Sequence, residues 1–260
     1  MKRLVGVLAV LFGVLALAQT AEEILERVEE QGFFGTGRGS LYAALVVEIQ
    51  EKGQPTVDYA FRVWAKEYPD GTVKFLLLYA APADVAGTLF LAHVPEEGTA
   101  QMWLYLPELA LLKELKGEAE RKGEFLAGSG ITYEDISKGF SYREGYMARL
   151  IGEETVDVYP VWKLELVPKG VEAEWFKIFL WVHRSEYIVV RAEFYDKDGK
   201  LARILTVPEL VTDEVGTRPA FLRVEDLLKG SWAEVRIPER STADIPDTYF
   251  EPANLPYLSF

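Results

Sequence analysis

Glu134 and Asp135, which close the stretch Gly-Ser-Gly-Ile-Thr-Tyr-Glu-Asp at 128–135, are the side chains that first suggest chemistry. Two carboxyl groups can cleave a glycosidic bond when they flank the substrate several ångströms apart. Neighbours on a strand point to opposite faces, however, and neighbours on a helix diverge by about 100°. The pair fits that geometry poorly, although either acid could partner a distant one. A structural role is simpler, because acids that follow a Gly-Ser-Gly favour the start of a short helix.

The remaining candidates for chemistry are few. His93 and His183 are the two histidines of the chain, and each sits inside an apolar stretch. There is no cysteine, so thiol catalysis is excluded, and a zinc site rich in histidine is disfavoured. No G-x-S-x-G elbow marks a serine nucleophile. The stretch Asp196-Lys197-Asp198-Gly199 lacks the further ligands and final glutamate of a calcium loop and reads as a hairpin turn. The glycine-rich 32–40 lacks the Lys-Ser/Thr of a phosphate loop and follows no strand, so it reads as a connection. No metal and no cofactor is expected.

The elements that would hold these residues begin with a targeting segment. Lys2 and Arg3 precede an unbroken run of apolar residues and glycine from Leu4 to Leu17. Ala16-Leu17-Ala18 then supplies the small-x-small pattern of a signal-peptidase site. The run is shorter than the about 20 residues a spanning helix needs. Residues 1–18 are therefore expected to be a signal peptide removed near Ala18, and 19–260 a single β domain in the periplasm; an uncleaved anchor is the alternative. Without cysteine there is neither a lipid attachment site nor a disulfide, so the fold must stand on its core. The net charge of −13 makes nucleic acid an unsuitable partner.

Thr20 and Glu23 have capping-box spacing, and Ile24, Leu25 and Val28 share one face of the short helix that follows, which should end at Gly32. From Leu41 onward the chain reads as about eleven strands, rich in β-branched and aromatic residues and joined by hairpin-length turns. Several strands are apolar on both faces. Phe176, Ile178 and Leu180 alternate with Phe179 and Trp181, and Phe75 and Leu77 with Leu76 and Leu78. Such strands must be covered on both sides, either in a two-sheet sandwich or in one strongly curved sheet with helices in its concavity.

The sequence "YLPEL", a charged stretch and "GSGITYEDIS" resemble, in that order, a segment of the outer-membrane lipoprotein-sorting family of LolA-like proteins. "AEEILERVEE", "FYDKDGKLARIL" and "IPDTYFEPANL" sit where that family has similar stretches, so the resemblance spans the chain after residue 18. The basic run after "YLP" is here diluted to Lys113, Lys116, Arg121 and Lys122. The resemblance implies a mainly β fold with a few helices: an incomplete antiparallel β-barrel enclosing helices, one face of which lines an apolar cavity. It also implies that 128–138 belongs to the helical plug or its hinge, fixed by Tyr133, Glu134 and Asp135.

The resulting expectation is a non-enzymatic periplasmic carrier of acylated lipoproteins, lipids or other hydrophobic ligands, working with an inner-membrane transporter or an outer-membrane acceptor. The alternative is a periplasmic sensor or interaction module assisting a membrane protein; an acid-pair hydrolase is a third reading. Because residues two apart share a strand face, Phe61, Val63, Phe75, Leu77, Met102, Leu104, Leu164, Leu166, Phe176, Ile178 and Leu180 are expected to line a common concave surface. Arg62, Lys74, Lys163, Glu165 and Lys177 then point away from it.

Overall fold

The structure, a computed structural model, describes residues 19–31, 39–96, 99–126, 131–138, 142–143, 145–170, 173–242 and 244–260. The expected signal segment, residues 32–38 of the glycine-rich stretch, Gly128 and the side chains of Asp135 and Lys138 lie outside that description.

The opening helix α1 (Ala21–Gln31) forms where the capping box places it. The Thr20 N–H donates to Glu23 Oε2 at 2.7 Å, and the Glu23 N–H donates to Thr20 Oγ1 at 3.2 Å, satisfying two backbone donors that helix geometry leaves unpaired. Ile24 and Leu25, on its apolar face, are buried.

Among the described residues the strands form one thirteen-stranded antiparallel sheet. They are β1 (Ser40–Gln50), β2 (Val57–Glu67), β3 (Val73–Ala81), β4 (Leu89–Val94), β5 (Gln101–Leu106), β6 (Leu111–Glu114) and β7 (Tyr146–Val156). The series continues with β8 (Tyr159–Pro168), β9 (Lys177–His183), β10 (Val189–Tyr195), β11 (Leu201–Thr212), β12 (Thr217–Asp226) and β13 (Ser231–Thr242). Two more strands form than expected. One arises because the expected Asp196–Gly199 hairpin turn makes two strands of 189–212, and the other, which was not expected, is β6, hidden in the charged stretch after "YLP". Four residues are too few to show a period, and β6 exists because β5 offers it an unpaired edge.

The order across the sheet is β6-β5-β4-β3-β2-β1-β13-β12-β11-β10-β9-β8-β7. The first strand thus pairs with the last, while β6 and β7 form the two edges. The sheet is open and curved rather than a closed barrel, and a two-sheet sandwich is excluded. The chain from 115 to 145 must run from one edge to the other, so it crosses a face of the sheet. It carries the short helices α2 (Glu118–Arg121) and α3 (Tyr133–Lys138) with it. Gly123 ends α2: a Cβ there would lie 3.0 Å from the Glu120 carbonyl oxygen.

An ion-pair network built on the buried Arg240 ties the β11–β12 turn to β13. Arg240, whose side chain is fully buried, donates from Nε and Nη2 to Asp213 at 2.8 Å each and from Nη2 to the Gly216 carbonyl at 2.6 Å. Arg218 Nε reaches the same carboxylate at 2.9 Å. The Arg240 hydrogen bonds hold the Asp213 carboxyl well below the usual carboxylate range.

Candidate functional site: the covered face of the sheet

Directly opposed residues of an antiparallel pair share a face, so the register can be followed from strand to strand. Ala43, Val63, Leu77, Phe90 and Leu104 form one row across β1–β5. Phe75, Ala92 and Met102 form the next. In the other direction Ile49, which alternates in phase with Ala43 along β1, opposes Ala233. From there the row runs through Val224, Leu205, Ala192 and Leu180 to Leu164. Ile178 opposes Leu166 two residues along. Phe61, Val63, Phe75, Leu77, Met102, Leu104, Leu164, Leu166, Ile178 and Leu180 therefore lie on one face of the sheet.

Phe176 does not. It precedes β9, its N–H donates to the Tyr195 carbonyl at 2.9 Å, and its side chain is 54% exposed. Phe176 stands one residue before β9, at the rim, where the covering segments do not bury it.

The shared face carries two separate apolar clusters. Over β7–β10, Ile24 and Leu25 of α1 pack with Leu164, Leu166, Ile178 and Leu180. Over β1–β5, the edge-to-edge segment supplies Leu115, Phe125 and Leu126, with Tyr133 and Ile136 against them, and these meet Phe61, Val63, Leu77, Phe90 and Met102. All the strand residues just named are at most 4% exposed, so the covering segments touch them directly. Phe75 and Leu104 are half-buried at the margin.

Several bonds among the described residues fasten the segment over β1–β5. Tyr79 of β3 donates its hydroxyl proton to the Phe125 carbonyl at 3.1 Å, and burial pushes the Tyr79 hydroxyl far above the ordinary tyrosine range. Phe125 N–H donates to the Ile131 carbonyl at 2.7 Å, and Tyr133 N–H to the Gly123 carbonyl at 3.1 Å. Tyr133 stacks at a tilt on Phe90, with centroids 5.1 Å apart, and meets Phe125 edge-on at 5.6 Å. Burial raises its hydroxyl as well. Glu134 lies in the first turn of α3 and its backbone carbonyl accepts from Ser137 Oγ at 2.9 Å.

The opposite face of β3 and β4 is covered too, as doubly apolar strands require, by a segment that the sequence did not identify as the cover. Leu76, Leu78, Leu89 and Leu91 pack against Ile245, Phe250 and Leu255 of the C-terminal tail. Lys66 and Tyr68 each reach Asp247 at 2.8 Å, and Trp64 stacks on Phe260 with centroids 4.6 Å apart. A cavity is therefore not what makes β3 apolar on both sides. The available signal was the spacing of Ile245, Phe250 and Leu255 among prolines in an otherwise polar terminus. On β9 the outward aromatics are handled differently. Lys163 lies over Phe179 and Trp181, and Lys177 over Phe179 and Tyr195, within 4.7–5.4 Å of the ring centroids.

Both histidines serve the fold. His93 Nε2–H donates to the Phe250 carbonyl at 2.7 Å and faces Trp103 edge-on, anchoring the tail. Burial lowers its pKa. His183 Nδ1 accepts from the Glu186 N–H at 3.2 Å in the β9–β10 turn. No cluster of three or more metal-ligating side chains occurs among the described residues.

A family model described as an uncharacterized protein matches residues 71–257. No curated protein matches the sequence. Among solved structures, a DUF1329 family protein from Desulfovibrio piger is 25% identical, with a TM-score of 0.78 over 90% of this chain and 97% of its own. A domain described as an outer membrane lipoprotein-sorting protein from Vibrio parahaemolyticus is 24% identical, with a TM-score of 0.77 over 91% and 98%. A LolA superfamily protein from Nitrosomonas europaea is 22% identical, with a TM-score of 0.66 over 90% and 98%.

Proposed function

The chain belongs to the DUF1329 family of uncharacterized proteins and has the LolA-like fold, and from that premise we propose that it is a periplasmic binder and carrier of acylated lipoproteins, lipids or similar hydrophobic molecules. One observation carries this reading. The apolar face of β1–β5 is covered by a segment with helices of only four and six residues, rather than by a second sheet. The names of the Vibrio and Nitrosomonas proteins are consistent with it.

The mechanism is sequestration. In this closed state Phe61, Val63, Leu77 and Met102 touch the plug, so an acyl chain enters by displacing Phe125, Leu126 and Tyr133. The exchange is nearly balanced, because the strand face stays covered while the chain leaves water at about 25 cal/mol per Å². The other half of the face lies under α1, an eleven-residue capped helix, and serves as permanent core. Leu164, Leu166, Ile178 and Leu180 are then structural, and the ligand surface is the set on β2, β3 and β5. Tyr133, Glu134 and Asp135 belong to the moving segment, and no step calls for a cofactor or covalent chemistry. Release to a membrane acceptor, or loading from a transporter, would reverse the displacement.

The full burial of the face also favours a second reading, an interaction module with a filled interior. Titration with an environment-sensitive fatty-acid probe, together with mass spectrometry of organic extracts from gently purified protein, separates the two. Saturable probe binding and a co-purified lipid support the carrier; a protein that binds no acylated probe and yields no lipid is the module. N-terminal sequencing tests export: a mature start near Gln19 is expected, and an intact Met1 on membrane-bound protein would overturn it.

A further inference from the structure

The large apolar side chains that remain exposed are distributed unevenly. Antiparallel pairing sends the β1–β2, β3–β4, β5–β6, β8–β9, β10–β11 and β12–β13 turns to one rim of the sheet. At that rim Leu109 is 69% exposed, Leu228 57%, Phe176 54% and Leu227 44%. Turns at the other rim read Pro-Asp-Gly-Thr (69–72), Arg-Ser-Glu (184–186) and Asp-Glu-Val-Gly (213–216), with Val158 the prominent apolar tip.

These tips are held out by built turns. The N–H groups of Leu228 and Lys229 donate to Asp226 Oδ1 at 3.0 and 2.9 Å, which fixes the Leu227-Leu228 tip. Trp175 is bracketed by the Tyr146 hydroxyl, which accepts from its N–H at 3.0 Å and donates to its carbonyl at 3.3 Å; Phe176 follows directly. Ala110, in the left-handed region at φ 45°, closes the turn that lifts Leu109. Turns favour Gly, Asn and Asp, so adjacent leucines at a hairpin tip cost solubility without helping the turn.

We propose that this rim docks on a phospholipid bilayer, with Leu109, Phe176, Leu227 and Leu228 entering the interfacial zone. Apolar tips on separate turns do not make one continuous groove for a protein ligand, but each can enter a fluid interface independently. Lys52, Lys197 and Lys229 are exposed on the same rim, where their heads reach phosphate while their stems lie along apolar surface. Of the rim acids, Asp196 and Asp226 are turned inward to the backbone of their own turns, while Glu51, Asp84, Glu108 and Asp198 are exposed, so the lysines supply local contacts rather than a net positive rim. Beside Phe176 a pocket of about 220 Å³ opens between Trp175, Pro168 and Lys197, an apolar slot with a cation at its lip. Lys229 also pairs with Glu124 at 2.7 Å, so the docking rim touches the plug segment itself.

The test is flotation of the purified chain, lacking residues 1–18, with vesicles of phosphatidylethanolamine and phosphatidylglycerol. The wild type should float with the vesicles. Because the chain without Lys2 and Arg3 carries a charge of −15, the attraction is apolar and should survive raised salt, which shortens the screening length below about 10 Å. The combined Leu109→Asp, Phe176→Asp, Leu227→Asp, Leu228→Asp variant should lose at least about tenfold in apparent affinity (near 1.4 kcal/mol), with circular dichroism and Tm unchanged. Absence of wild-type flotation would overturn the proposal, as would flotation that the combined variant leaves unchanged. Retention only on vesicles containing membrane protein would overturn it in favour of a protein partner. Fatty-acid probe uptake reports the interior independently, so either reading can fail alone.

Discussion

Tyr79 of β3 donates its hydroxyl proton to the carbonyl of Phe125, 3.1 Å away, and so joins the sheet to the segment that covers it. Both groups are buried, so neither finds water if the other is lost. Tyr79→Phe should cost about 1 kcal/mol in chemical denaturation, the net worth of one hydrogen bond. It should also speed amide hydrogen exchange at 123–133 and the uptake of a fatty-acid probe. Unchanged exchange there would show that the bond does not hold the plug.

The two halves of the covered face should respond differently to charge. Leu104 is half-buried at the margin of the plugged half, so Leu104→Glu should leave the fold intact and weaken acyl-probe binding. Ile178 is fully buried under the α1 half. There Ile178→Asp should unfold the protein, because an unpaired buried charge costs several kcal/mol. Thermal melts beside probe titrations check both outcomes.

Asp213 gives the fold an acid limit. Its carboxyl is held below its ordinary range in the folded state, chiefly by Arg240. Its contribution is therefore complete above the unfolded carboxylate pKa of about 4 and is lost as pH falls below that value. Asp213→Asn should destabilise the protein by about 1–3 kcal/mol at neutral pH, since it replaces the charged acceptor of the Arg240 and Arg218 hydrogen bonds by a neutral amide. It should also flatten the acid arm of the stability curve, as denaturation between pH 3 and pH 7 would show.

His93 should act in a higher window. Burial lowers its folded pKa, so its neutral form favours the fold above the unfolded value of about 6.5, and that stability declines as pH drops below it. The Tm of the wild type should fall between pH 7.5 and pH 5 by more than that of His93→Gln. Equal falls would remove His93 as the cause.

Removal of residues 245–260 should uncover Leu76, Leu78 and Leu91 on the outer face. Each buried leucine contributes about 1.5–3 kcal/mol, so the truncated chain should bind a hydrophobic dye and aggregate. A soluble, dye-free truncated protein would show that the tail is dispensable.

Local features of the chain were legible without the structure. Thr20 and Glu23 marked the start of α1, the Asp196–Gly199 turn divided β10 from β11, and alternation along β2, β3, β5, β8 and β9 assigned their faces. In each case the information lies within a few residues, because capping, turn chemistry and the period of two are backbone properties. The acids at 134–135 were correctly read as the start of a short helix for the same reason.

Other features depended on partners far away in sequence. β6 is a strand because an unpaired edge waits for it, and nothing in Leu-Leu-Lys-Glu requires that outcome. The second apolar face of β3, that of Leu76 and Leu78, needed a cover that its own neighbourhood does not supply; it is covered by a tail more than 150 residues later, whose short helices and prolines carry no period. Phe176 continued an alternation in sequence, yet it stands one residue before β9, at the rim, where the covering segments do not bury it. The sequence alone determined most of the strands and which way their side chains alternate. Only the tertiary structure decided what lies on each face, because burial is settled by whichever distant segment reaches a surface, and short-range periodicity cannot encode that.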